Sequence, residues 1–223
     1  MSLLTILTLG LFLGVRHATD ADHIVAVSAI VSRERSVLSA LRVGALWGVG
    51  HTTTILLVGG AIVLLGLNVP ERVGLSMELA VAVMLVVLGV LNLSRAGRHT
   101  HAGPEAAPVL ATRGRGLQPF VVGTIHGLAG SAALALLVLT TIEDTGRAVL
   151  YLGVFGLGTI VGMMALTAAV SVPFSAVARR FGNFERTLTQ FTGLVSVGFG
   201  LFLAYRIGFV EGLFLSELRV VPD

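Results

Sequence analysis

The sequence contains no cysteine and no lysine among its 223 residues. Without cysteine the chain forms no disulfide, thiolate metal site or iron–sulfur cluster, and cysteine usage does not indicate a redox compartment. All 15 basic residues are therefore arginines. The missing thiolates also weaken the case for copper(I) as a ligand, because that ion prefers soft sulfur donors.

Charged residues are scarce as well. They make up 12% of the chain, whereas a soluble domain carries about a quarter. Hydrophobic residues account for 55% and the mean hydropathy is +0.93, which predicts an integral membrane protein surrounded by the lipid bilayer. A net charge of +3 and an isoelectric point near 10.5 would also fit a nucleic-acid partner. We expect none, because the arginines lie in short loops between apolar segments and are better explained by membrane topology.

The apolar pattern predicts an all-α fold with six membrane-spanning helices. The opening stretch "MSLLTILTLGLFLG" lacks the basic start and cleavage site of a signal peptide, so we expect it to be retained as the first helix. The first two segments have 29 and 30 residues, where about 20 suffice. Strong tilt, a break at mid-depth or extension into solvent would each accommodate them. The segments are Leu3–Val31, Leu38–Leu67, Met77–Leu93, Leu117–Ile142, Ala148–Val172 and Leu188–Phe209.

The distribution of arginine predicts the orientation. Loops after the first, third and fifth segments hold nine arginines, and the opposite side holds four. Because cytoplasmic loops are enriched in basic residues, we expect a multi-pass protein of the cytoplasmic (inner) membrane with both termini outside. The nine are Arg33, Arg35, Arg95, Arg98, Arg113, Arg115, Arg179, Arg180 and Arg186, and the four are Arg72, Arg147, Arg206 and Arg219.

The second half of the chain resembles the first. A shift of 109 residues lays His17 over His126, and a shift of 108 lays "WGVG" at 47–50 over "FGLG" at 155–158. A duplicated three-helix unit has to cross the membrane in opposite directions, and such inverted repeats are typical of transporters with a site at mid-membrane. Alternatively, glycine-rich helices match by chance. The predicted units are a first repeat at 1–94, a flexible cytoplasmic loop at 95–116, a second repeat at 117–209 and a C-terminal tail at 210–223.

Ionisable residues interrupt the first apolar segment. The insertion cost of Asp20 and Asp22 at a helix centre is roughly 5–7 kcal/mol together unless something compensates them. On a regular helix His17, Asp20 and His23 share a stripe about 120° wide. Asp22 would point elsewhere, so a role for it needs a local distortion or a supporting position behind the ligands.

Two more histidines lie within apolar segments, His51 in "GVGHTTTI" and His126 in "GTIHGLAGSAAL". Four imidazoles and two carboxylates predict a divalent transition-metal site, because neutral imidazole suits nickel, cobalt, zinc, copper(II) or iron. The predicted ligands are His17, Asp20, Asp22, His23, His51 and His126. The alternative is an internal network in which Arg16 pairs with an aspartate and each histidine binds a backbone carbonyl.

Two weaker motifs lie elsewhere. His99 and His101 in the "RHTHAG" loop would make a transient acceptor for a released metal, or occur there by accident. Ser131, five residues after His126, is compatible with a serine hydrolase, but the glycines and alanines around it are more simply a packing surface between helices. A membrane metalloenzyme is a further alternative, although the chain has no H-E-x-x-H motif.

The stretch "HATDADH" resembles the H-x4-D-H signature of the nickel/cobalt transporter family, and "GHTTTI" resembles its later Gly-His-Ser/Thr motif. The longer members have eight segments and an "LG-x-DTATE" element, for which this chain has no counterpart. In its place "HGLAGSAAL" looks like the shorter urease-accessory-type nickel permeases. The resemblance covers most of the chain, although its specific motifs lie at 16–24, 50–55 and 123–134.

The resemblance implies a permease for Ni²⁺ or Co²⁺, usually for uptake that supplies enzymes such as urease or hydrogenase. It carries the family's ligand roles to His17, Asp22, His23 and His51. Asp20 comes from helix geometry, and His126 from the repeat. We therefore expect a secondary carrier, not an enzyme, without a permanent cofactor and with a cytoplasmic metallochaperone as a further partner. The oligomeric state stays open, and a metal exporter or a non-transporting sensor or accessory subunit remains an alternative.

Overall fold

The computed structural model describes residues 2–32, 36–67, 69–98, 109–128, 138–139, 141–142, 144–180 and 184–215. The ordered elements in this part of the chain are helices, as the sequence predicts. A π-helical turn, Arg206–Val210, follows the last of them directly. The helices are α1 Leu3–His17, α2 Ala21–Val31, α3 Val37–Leu65, α4 Glu71–Arg98, α5 Val109–His126, α6 Thr145–Arg180 and α7 Phe184–Tyr205.

Four continuous stretches are long and apolar enough to cross a membrane, namely Val37–Leu65, Glu71–Ser94, Thr145–Phe174 and Arg186–Val210. The pair α1 and α2, bent by 56° at a short break, passes as a fifth. Of the sixth predicted segment, α5 carries the first part, while 129–137 lie outside the described residues. The chain is thus a helical membrane protein, and many large apolar side chains face outward, such as Leu57 at 69% and Phe12 at 65% exposure.

The first long segment is broken, one of the three arrangements that its length predicts. α1 ends at His17, and tight turns follow in which the backbone N–H groups of Thr19 and Asp20 donate to the carbonyls of Arg16 and His17. α2 begins after Asp20, whose backbone is extended and whose side chain makes no capping hydrogen bond. The carboxylate turns back toward His17 instead. The second long segment, in contrast, is one continuous helix, Val37–Leu65, which ends at Gly66 with φ +61°.

The helices pack in a regular pattern. α3 packs on α5 and α6, α1 packs on α6, and α4 packs on α7. Glycine allows the closest of these approaches, because a Cβ at Gly14 would collide with the carbonyl oxygen of Phe155, and one at Gly123 with that of Trp47. Small residues at such crossings are typical of membrane helix pairs. The α1–α6 and α3–α5 crossings therefore bring together the helix positions that carry the polar centre.

Helices also occupy both ends of the predicted cytoplasmic loop at 95–116. α4 continues to Arg98 and α5 begins at Val109. His99, His101 and Ser131 lie outside the described residues. At the other end of the chain, the described part of the tail runs from the π-helical turn to residue 215.

Candidate metal centre

Four histidines from four helices converge in the interior. His17 is the last residue of α1, His23 lies in the first turn of α2, His51 lies midway along α3, and His126 ends α5. Their exposed fractions are 4%, 0%, 1% and 0%. Ring centroids are 4.1 Å apart for His23 and His126, 4.8 Å for His17 and His23, and 5.0 Å for His17 and His51. The break between α1 and α2 and the end of α5 thus deliver imidazoles to one buried cluster.

His17 is held on both sides of its ring. Its Nδ1 lies 2.9 Å from Oδ2 of Asp20, and its Nε2 lies 3.0 Å from Nε2 of His51. If Nδ1–H donates to the carboxylate, Nε2 carries the lone pair that can accept a proton from His51 or bind a metal ion. A carboxylate behind an imidazole is the usual arrangement at metal sites, since it fixes the tautomer and the ring orientation.

Asp22 connects two of the helices. Its Oδ1 accepts from the backbone N–H of His23 at 3.0 Å and lies 3.2 Å from that ring's Nδ1, while Oδ2 lies 2.9 Å from Nε2 of His126. On the regular helix assumed from the sequence, Asp22 would point away from the other ligands. That assumption is wrong, because the helix breaks at 18–20 and α2 starts in a new direction.

Three ring nitrogens in the centre have no hydrogen-bond partner in the structure. They are Nε2 of His23, Nδ1 of His51 and Nδ1 of His126. Leaving a buried polar atom unpaired costs about 1–3 kcal/mol each, so an internal network would be expected to satisfy them. Arg16, the cation proposed for such a network, is exposed, and both aspartates contact histidines instead. The arrangement therefore suits a bound cation better than a purely structural network.

Two overlapping groups of side chains can each hold a metal ion with ligand atoms within 4.8 Å of one another. One is His17, His23 and His51, and the other is Asp22, His23 and His126. His23 belongs to both. Asp20 belongs to neither and contacts His17, so its place is behind an imidazole. All six predicted residues lie together in or next to this centre.

Neighbouring side chains fix the helices around the cluster. The Thr52 hydroxyl donates to the carbonyl of Gly156 at 3.0 Å, and the Thr54 hydroxyl donates to that of Thr124 at 3.0 Å. These bonds tie α3 to α6 and α5. The threonines after His51 therefore orient the helix that carries this histidine, and they do so through backbone carbonyls.

Two aromatic walls were not singled out in the sequence. The rings of His17 and Phe155 are 5.6 Å apart, and those of His126 and Trp47 are also 5.6 Å apart. Both aromatic side chains are buried. The signal was available in the sequence, since the shift of 108 residues lays Trp47 over Phe155. Their roles follow only from the packing.

A cavity of about 260 Å³ adjoins the cluster between α2, α4 and α7. Its lining includes Asp20, Asp22, Glu78, Phe199, Leu203 and Ile207. Glu78 is a functional candidate that the motif analysis missed, because it stands at the start of the third apolar segment and belongs to no motif. A carboxylate within a membrane helix is itself a signal that would have found it.

The relatives of the chain include one of nearly the same length. The urease accessory protein UreH of Bacillus sp. (strain TB-90) is 36% identical over 229 residues, which cover 98% of this chain and 99% of that protein. The chloroplast proteins FOR GROWTH AND FERTILITY 1 and 2 of Arabidopsis thaliana are 25% and 26% identical, over 86% of this chain. The chain spans 56% and 54% of their lengths. No protein-family model and no solved structure matches the chain.

Proposed function

The chain belongs to the family of the urease accessory protein UreH, and from this premise we propose that it carries a divalent transition-metal ion across the cytoplasmic membrane. The ion is Ni²⁺, with Co²⁺ as a second substrate, and the direction is uptake. The observation that carries the proposal is the buried cluster of four histidines and Asp22 at a helix break. The chain acts as a carrier and not as an enzyme.

The donor set supports this choice of ion. Imidazole and carboxylate donors suit nickel and cobalt, whereas magnesium and calcium favour sites made of oxygen alone. Asp20 and Asp22 offer two negative charges, which balance one divalent cation. Several unpaired imidazole nitrogens in a buried space would otherwise be costly, and a metal ion relieves that cost.

The distance between two of the donors bears on the choice between nickel and zinc. With metal–nitrogen bonds of about 2.1 Å, the 3.0 Å between Nε2 of His17 and Nε2 of His51 corresponds to an angle of about 90° at the metal. A tetrahedral site would hold these atoms about 3.4 Å apart. An angle near 90° suits square-planar or octahedral coordination, the former being typical of Ni²⁺.

An inverted repeat of two three-helix units is the architecture in which we place this site, with six spans and both termini outside. Reciprocal contacts support it. Gly50 approaches the carbonyl of Phe120 in α5, and Gly158 approaches that of Leu11 in α1. The sequence shift lays Gly50 over Gly158, and Leu11 over Phe120. Each unit thus makes with the other the contact that the other makes with it.

Rocking of one unit against the other would expose the site to each side in turn. The break between α1 and α2 and the end of α5 supply residues that can move with separate units, since His17 and His23 lie in one half and His126 in the other. Protons compete with metal for imidazole and carboxylate, which couples release of the ion to proton uptake. The chain carries no nucleotide-binding motif, so the energy comes from ion gradients.

The printed name of the Bacillus relative, urease accessory protein, favours one second candidate, a non-transporting accessory subunit or metal sensor with the same site. An exporter is the other alternative, and it differs in direction alone. Measuring the nickel content of cells that express the chain separates them. Uptake predicts a rise over empty cells that His23→Ala abolishes, an exporter predicts a fall, and an accessory subunit predicts no change.

A further inference from the structure

The cavity beside the histidine cluster has a defined position in the membrane. Glu78 lies seven residues into α4, about 10 Å along its axis from Glu71. Asp22, at the start of α2, lines the same cavity, as does Ile207 in the π-helical turn after α7. The predicted topology places the start of α4 and the end of α7 on the outer side. The cavity therefore extends from the outer half of the protein to an aspartate that contacts two of the histidines.

We propose that this cavity is the path by which the cation enters from outside, and that Glu78 is the carboxylate that draws the hydrated ion into it. The inference rests on the proposed transport function and adds to it the route and a residue that determines the rate of entry. Glu78 acts before the ion reaches the histidines and is not one of their ligands.

The charge around the cavity favours a cation. Three carboxylates line it, those of Asp20, Asp22 and Glu78, and its other lining residues are apolar. Apolar walls focus the field of such charges and raise the local concentration of counter-ions. The carboxylate of Glu78 makes no hydrogen bond or ion pair with any other residue that the structure describes, so its charge is available to an entering ion.

The nearest cation is neutralised at the mouth of the path. The charged groups facing Glu78 are Asp22, Arg206 and Glu211. Nε of Arg206 lies 2.9 Å from Oε1 of Glu211, in an ion pair. Because Glu211 balances the arginine, the net charge along the path remains negative.

The size of the cavity suits a hydrated ion. Each water occupies about 30 Å³ in the liquid, so about 260 Å³ accommodates a cation with several of its waters. A path of this size lets the ion keep part of its hydration shell until it meets the imidazoles, where ligand exchange takes place.

Glu78 also breaks the symmetry between the two halves. The shift of 109 residues that lays Gly89 over Gly198 lays Glu78 over Thr187. The matching position of the second half is therefore neutral. A carboxylate in one half only gives the outer path an attraction for cations that an equivalent inner path lacks, which agrees with entry from outside.

The first test is the concentration dependence of Ni²⁺ uptake by proteoliposomes holding Glu78→Gln. We expect the value of kcat/KM for Ni²⁺ to fall about tenfold at low salt, because steering by charge raises association rates by that order or more. The loss should shrink as salt screens the field, and Glu78→Asp should recover most of the rate. Glu71→Gln, at the exposed start of the same helix, is the matched control and should behave as wild type.

Equilibrium binding of Ni²⁺ to the purified variants separates entry from ligation. Glu78→Gln should bind Ni²⁺ within about twofold of wild type, since the residue is not a ligand. Wild-type kcat/KM in Glu78→Gln would overturn the inference, and so would a loss of equilibrium binding as large as the loss of uptake. In either case, uptake by wild type that His17→Ala abolishes would leave the proposed function standing. If wild type takes up no metal, both fall together.

The absence of cysteine from the chain allows a second test that does not depend on Glu78. Leu203→Cys lines the cavity, while Phe202→Cys replaces an outward-facing side chain with 56% exposure. A membrane-impermeant thiol reagent added outside should block Ni²⁺ uptake in the first variant and not in the second. Labelling of Leu203→Cys without any effect on uptake would contradict the path.

Discussion

The Nε2 atoms of His17 and His51 lie 3.0 Å apart, although the two residues are 34 positions apart and belong to different helices. A contact of this kind between two buried imidazoles brings like groups together in a space from which water is excluded. A shared proton stabilises it in the absence of metal, and a shared cation stabilises it when metal binds. The predictions below test that second state.

Removing one imidazole of this pair should abolish transport. His17→Ala is expected to lower high-affinity Ni²⁺ uptake to the level of empty vesicles, because it removes a donor and leaves Nε2 of His51 without its partner. Thr53→Ala is the matched control, since Thr53 is exposed on α3 and bonds only within its own helix. Its uptake and membrane content should equal wild type. Wild-type uptake by His17→Ala would refute the site.

The two aspartates should differ in effect. Asp20→Asn is expected to weaken Ni²⁺ binding by about 10–100-fold, the usual cost of losing a group that orients a metal ligand. Asp22→Asn should weaken it more, because Asp22 contacts both His23 and His126. Calorimetric titration of the purified variants measures both affinities. Equal, small losses in the two variants would contradict the assigned roles.

Metal should stabilise the folded protein. At a free Ni²⁺ concentration of 100 times Kd, binding adds about 2.7 kcal/mol to the free energy of unfolding. We expect the melting temperature of the detergent-solubilised protein to rise with Ni²⁺ and to return after chelation. His23→Ala should show no such rise, because His23 is shared by both ligand groups. A rise of the same size in this variant would place the metal elsewhere.

Packing of the two halves should depend on particular glycines. Gly14→Ala is expected to destabilise the fold by about 1–3 kcal/mol, since its Cβ would collide with the carbonyl of Phe155. Gly153→Ala lies on α6 where a Cβ meets nothing within 4 Å, so it should be neutral or slightly stabilising. Melting temperatures of both variants check this. Similar values for the two would argue against the close crossing of α1 and α6.

Much of the fold follows from local sequence patterns. Apolar segments of sufficient length predict helices across a membrane, because every backbone polar group has to be satisfied within the helix. The length of 3–31 and its polar residues indicated a break among its alternatives, and the break lies at 18–20. The continuous course of Val37–Leu65 did not follow from its sequence, since it has the same excess length and a polar centre at His51.

The arrangement of the site depended on contacts that local patterns do not contain. The motif residues His17, Asp22, His23 and His51 could be selected as candidates because intramembrane ionisable groups are rarely accidental. The direction of Asp22 could not be predicted, since it depends on the turn that separates α1 from α2. The role of Glu78 was also beyond reach, because its cavity forms only where α2, α4 and α7 meet.

The most direct test of the central claim is radiolabelled Ni²⁺ uptake by proteoliposomes holding the purified chain alone, with His17→Ala as control and Co²⁺ and Mg²⁺ as competitors. We predict saturable uptake that is lost in the variant and inhibited by Co²⁺ but not by Mg²⁺. Tight Ni²⁺ binding without any uptake would contradict a carrier and favour a sensor or an accessory subunit.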